Sequence, residues 1–166
     1  MRKVLVLSIV LTLVLSCSAF AAGRRYVNGR FGFSFIVPAG MKAMPQPTNG
    51  DGRQFVNRQD KFEITGSGMF NAMEPLQTAY GYAAPEGKRT QIIAHGKNGT
   101  AKDVTLRWTE GRIMKWCRAI LITTKDDPTG HFISVYAECP IANVKRHESA
   151  ILTSLKSLRS TGGGIY

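Results

Sequence analysis

The sequence predicts an α+β domain, sheet and helix packed as a sandwich, and three stretches predict it. Residues 112–124 and 131–139 read as an antiparallel hairpin with apolar side chains on both faces, so the sheet that contains it must be covered on two sides. The run Phe31-Gly32-Phe33-Ser34-Phe35-Ile36-Val37 alternates as a strand with one buried face. Ile141, Val144, Glu148, Ile151, Leu155 and Leu158 recur by threes and fours, which makes residues 143–159 an amphipathic helix lying on the sheet, with Lys145, Ser149, Lys156 and Arg159 outward.

The first residues form a processing signal rather than part of that domain. Met1-Arg2-Lys3 is a basic start, residues 4–15 are an apolar run, and Ala19-Phe20-Ala21 is a small-x-small cleavage site. A membrane-spanning helix needs roughly 20 apolar residues, so this run is a secretory signal and the mature chain has no span. Cleavage near Ala21 releases a periplasmic or secreted protein beginning near Ala22. The alternative is a lipoprotein anchored at Cys17, because Val14-Leu15-Ser16-Cys17 resembles a bacterial lipobox. With 166 residues and 43% hydrophobic content, what remains suffices for one globular domain with a proper core.

In chain order, residues 22–30 lack periodicity and read as a flexible lead-in to a single domain over 31–159. Pro38 ends the Phe-rich strand. A loop over residues 41–52, with Pro45, Pro47 and the turn Asn49-Gly50-Asp51-Gly52, delivers the chain to a short strand around Phe55. Residues 57–60 turn into a strand over 61–70, where Phe62 and Ile64 share a face and Gly66 and Gly68 loosen it. Leu76, Ala79, Tyr80 and Ala83 repeat at helical spacing between Pro75 and Pro85. Residues 91–95 and 103–109 are strands joined by a glycine-rich turn, Glu110-Gly111 leads into the hairpin, and residues 160–166 are a frayed tail.

Within the hairpin, the register that sets Cys117 opposite Cys139 also sets Arg118 opposite Glu138, Ile120 opposite Tyr136 and Leu121 opposite Val135. Export leaves these two cysteines as an even pair in an oxidising compartment, once Cys17 is removed or acylated. The expectation is a Cys117–Cys139 disulfide, and two buried free thiols are the competing reading.

Tyr26-Val27-Asn28 leading to Phe31-Gly32-Phe33-Ser34-Phe35 and Pro38, the Asn49-Gly50-Asp51-Gly52-Arg53 turn before Phe55, and a final helix closing on Ile151 and Leu158 resemble small exported bacterial domains of the PsbP-like superfamily. The resemblance spans residues 26–158. It implies an α/β/α sandwich, a central antiparallel sheet flanked by helices, in a group better known for docking onto other proteins than for catalysis. It brings no catalytic residues, and paired cysteines are not a general feature of the group.

The residues themselves offer little chemistry. His95, His131 and His147 fall in a strand, a turn and a helix, outside any metal-ligand spacing, and a site assembled in space from His95, Asp103 or Glu63 is the one route to an enzyme such as a small periplasmic hydrolase. The Phe-rich strand brushes against the aromatic RNA-binding pattern with its basic residue out of order, and the Asn49–Gly52 turn lacks the distal Glu of a calcium loop. Trp108 and Trp116 are either stacking platforms or core. No cofactor, metal or nucleic acid is expected.

Charge is the stronger signal. Removing residues 1–21 takes away Arg2 and Lys3 and no acid, so the net charge falls from +11 to +9. Such a field favours an anionic envelope component or an acidic protein. The doublets Lys88-Arg89 and Lys145-Arg146 are the candidate contacts with that partner, and a basic surface kept for solubility alone is the plainer alternative. The function expected is therefore non-catalytic docking.

Overall fold

The computed structural model describes residues 23–72 and 76–162, so the signal segment, Cys17 and Pro75 lie outside it. The elements in chain order are β1 (Arg24–Asn28), β2 (Phe33–Val37), β3 (Lys42–Ala43), β4 (Gly52–Asn57), β5 (Phe62–Phe70), α1 (Ala79–Ala83), β6 (Gln91–His95), β7 (Asp103–Glu110), β8 (Ile113–Ile122), β9 (His131–Pro140), a 3-10 turn (Ile141–Asn143), α2 (Val144–Ser157) and β10 (Arg159–Ser160). A seven-stranded sheet, antiparallel throughout, runs β3-β4-β5-β9-β8-β7-β6, and a three-stranded sheet runs β1-β2-β10.

The small sheet and α2 cover one face of the large one. Phe33, Phe35 and Val37 from β2 and Ile151, Leu155 and Leu158 from the helix region meet Phe62, Ile64, Trp116, Ile133, Val135 and Ala137 in one buried cluster. The alternation of β2 and the helical spacing of α2 exist to build this layer. Ser157 ties its two parts together, its Oγ accepting from the Ile36 N–H at 2.7 Å.

On the opposite face α1 packs on β7 and β8 through the small side chains Ala79 and Ala83, while Tyr82 stacks on Phe132 with ring centroids 4.4 Å apart. Thr78 caps this helix by accepting from Gly81 N–H at 3.0 Å. The result is an α+β fold with a large antiparallel sheet flanked by helices, as the sequence predicts.

The hairpin exists, but its register differs from expectation by three residues. Cys117 lies opposite Tyr136, and Cys139 lies opposite Met114. An odd shift exchanges the faces of one strand relative to the other. Cys117 therefore packs with α1, whereas Cys139 packs with β2 and α2 on the far side of the sheet. Both cysteines are buried free thiols, so the expected disulfide does not form. Trp116 explains the observed register: it is fully buried, opposite Ala137, in the thick layer under β2 and α2. Glu138 then meets Lys115 rather than Arg118.

Two terminal stretches also differ from expectation. In place of a flexible lead-in, Arg24–Asn28 pairs along the whole of β2, and Asn28 is buried with its Oδ1 accepting from Phe31 N–H. Arg159, expected as the end of the helix, and Ser160, expected in the frayed tail, pair with the other edge of β2, and residues 163–166 of that tail lie outside the described residues.

Candidate functional site

Lys88, Arg89, Lys145 and Arg146 are all exposed, but each doublet spends one member internally. Lys88 Nζ lies 3.6 Å from Glu110, and Arg146 Nη1 lies 2.8 Å from Asp60. Arg89 and Lys145 make no ion pair among the described residues. Lys145 stands one turn before Glu148 on α2; Glu148 is 3.6 Å from Arg107, and Arg107 lines the same cavity as Arg89. The two doublets are thus related through β7 and α2, a connection no local motif carries.

Asp60 forms a knot that the sequence conceals. Its carboxylate accepts from Arg146 at 2.8 Å and from His147 Nε2 at 3.0 Å, and its carbonyl accepts from Asn143 Nδ2 at 2.8 Å. The His147 ring stacks on Phe62 at 4.8 Å. A cavity of about 410 Å³ opens beside it, lined in part by Asn57, Ser149 and Thr153. With Nε2 committed to Asp60 and the ring clamped on Phe62, the arrangement anchors the first turn of α2 to the β4–β5 turn.

Of the residues from which an enzyme site was to be assembled, Glu63 is kept apart from the other two, and His95 and Asp103, near neighbours across the β6–β7 pair, share no hydrogen bond among the described residues. His95 is exposed on β6, with Nδ1 3.1 Å from the Gly96 carbonyl. Asp103 on β7 is held in a fork by Arg118, at 3.1 and 2.8 Å. Glu63 on β5 accepts from Gln54 at 2.6 Å, with β9 and β8 between it and β7. His131 is buried beside Phe31, and burial lowers its pKa. Trp116 belongs to the core, and Trp108 is 7% exposed against Tyr136. Among the described residues no group of three or more His, Cys, Asp and Glu side chains is placed to hold a metal ion, and no helix is long and apolar enough to cross a membrane.

What the structure does gather is space and positive charge around β6. A cavity of about 630 Å³ opens where the chain enters this strand, lined by Arg89, Thr90, Gln91, Arg107, Trp108 and Met114. A second, of about 260 Å³, lies between β6 and α2, with Ile93, Leu152 and Leu155 as its apolar wall and Lys156 at its rim. A third, of about 350 Å³, lies where the chain leaves β6, beside Lys97 and Lys102.

These features define a class of architecture: an antiparallel sheet sandwiched between helices, with a basic rim at one sheet edge. Among solved structures the chain is similar to cyanobacterial PsbP (CyanoP) from Synechocystis sp. PCC 6803, with a TM-score of 0.53 and 15% identity over 84% of this chain and 93% of that one. At that identity the likeness is one of fold, and it is the PsbP-like fold. No protein-family model matches the sequence, and no curated protein matches it.

Proposed function

We propose that this chain is an exported, non-catalytic docking domain whose basic surface meets an anionic partner, an acidic protein or an envelope component. The observation that carries the reading is how the acids are used. Asp51, Asp60, Asp103, Glu110 and Glu148 are each committed to a cation of the same chain. Arg89, Lys97, Lys145 and Lys156 stay exposed, and among the described residues their side chains make no ion pair or hydrogen bond, whereas Arg24 and Arg25 are turned to the Met41 carbonyl and the Ser34 hydroxyl. The PsbP-like fold supports the reading only as a scaffold that presents such a surface.

Charge of this kind acts mainly on the association rate and is screened beyond about 8 Å at physiological ionic strength. The test uses the partner captured by crosslinking from an envelope extract and then purified. Arg89→Glu and Lys145→Glu change the surface without breaking an internal pair. They slow association several-fold at low salt and leave dissociation nearly unchanged. Equal association of wild type and variants at low and high salt would make the charge a matter of solubility.

A further inference from the structure

We propose that the free edge of β6 and the groove between β6 and α2 accept an extended, acid-rich segment of a partner protein, added to the large sheet as an eighth strand. The proposal rests on the docking reading and names its surface.

Three observations meet at this edge. First, β6 ends the seven-stranded sheet and among the described residues pairs only with β7, so there one side of its backbone keeps donors and acceptors without strand partners. The opposite end of the sheet closes with the two-residue β3, too short to serve as a template. Second, a register irregularity between Ile92 and Ala94 gives Ile93 its own orientation. Ile93 packs toward the core beside Leu152 and Leu155, while Ile92 stays 46% exposed. An incoming strand places alternate side chains on one face, and the groove of about 260 Å³ is sized for an aliphatic side chain at such a position.

Third, among the described residues the charges along the edge that are left without an ion-pair partner are of one sign. Arg89 stands at the start of β6, Lys156 beside the groove, and Lys97 and Lys102 at its end. The acids in the same walls, Glu148 and Asp103, are held by Arg107 and Arg118. A segment bearing carboxylates between its apolar residues complements this edge. A second copy of the chain would bring Arg89, Lys97 and Lys156 against themselves.

The experiment titrates the isotopically labelled protein with a capped heptapeptide of alternating valine and glutamate, observing backbone amides. Saturable shifts confined to β6 and the Leu152–Lys156 turn are expected, with slowed exchange of the outward β6 amides. Leu152→Glu, which fills the groove with a carboxylate, should weaken binding at least tenfold, as should N-methylation of alternate peptide residues. A valine–lysine peptide should not bind.

Shifts elsewhere on the surface, or silence at β6 while Arg89→Glu still slows association with the captured partner, would overturn the edge and leave docking standing. Silence here together with salt-independent partner association would overturn both. Protection of β6 that grows with protein concentration without peptide would overturn the proposal in favour of a second copy.

Discussion

Gly66 on β5 lends its missing side chain to Phe35 on β2: a Cβ built on Gly66 would stand 2.2 Å from the Phe35 ring. Gly68 stands in the same relation to Phe31, again at 2.2 Å. These glycines let the small sheet settle onto the large one, which is why a residue that weakens a strand interior occurs twice in β5. Gly66→Ala should therefore destabilise the protein by about 1–3 kcal/mol, the range for forcing extra atoms into a packed core. Denaturant midpoints check this, and Phe35→Leu in the same chain should recover part of the loss.

Arg118 clamps three elements at once. It forks onto Asp103 of β7 and donates to the carbonyls of Leu155 and Lys156, both at 3.0 Å, satisfying acceptors that the end of α2 would otherwise leave open. Arg118→Met should cost about 2–3 kcal/mol, as expected for hydrogen bonds to a charged group. Arg118→Lys should recover less than half, because an ammonium cannot reproduce the fork. Hydrogen exchange should show the last turn of α2 opening first.

The helix and the Phe-rich strand were legible because their periodicities each serve one buried face: Ile151, Leu155 and Leu158 for α2, Phe33, Phe35 and Val37 for β2. The hairpin was legible but its register was not, since two registers three apart both pair apolar with apolar and base with acid. Only the depth that Trp116 needs separates them. β1 escaped notice because an edge strand with Asn28 as its one buried residue shows no alternation. The Asp60 knot joins residues 86 and 87 positions apart, and no window along the chain can contain that.

The thiols should behave as buried and separate. Burial pushes the Cys117 thiol up to about 12; Cys139 rises to about 11, through burial first and the charge of Glu148 second. Both should resist alkylation in the native protein near neutral pH and react fully on unfolding. Intact masses with and without reductant should be identical. A non-reduced mass lower by two hydrogens would restore the disulfide.

Acid should weaken the fold in a way His131 reports. The residue is 7% exposed, and burial holds its pKa below the ordinary 6.5, with Asp127 opposing in part. The unfolded chain takes up a proton that the folded chain refuses. Stability is therefore full above about pH 6.5 and declines as pH falls through that value toward the depressed folded pKa. His131→Gln should flatten this arm of the stability profile. Asp127, whose pKa is lowered by the Gly130 N–H and the Thr129 hydroxyl, adds a second decline at lower pH that the variant keeps.

The docking surface itself is tested most directly by placing a photocrosslinking side chain at Ile92 on β6, and separately at Val27 on β1, in cells that export the protein. Both positions are exposed, 46% and 56%, and they lie on different sheets. The account predicts a discrete protein adduct from position 92 that disappears with Leu152→Glu, and none from position 27. An adduct from position 27 with none from 92, or one at 92 indifferent to Leu152→Glu, would contradict it.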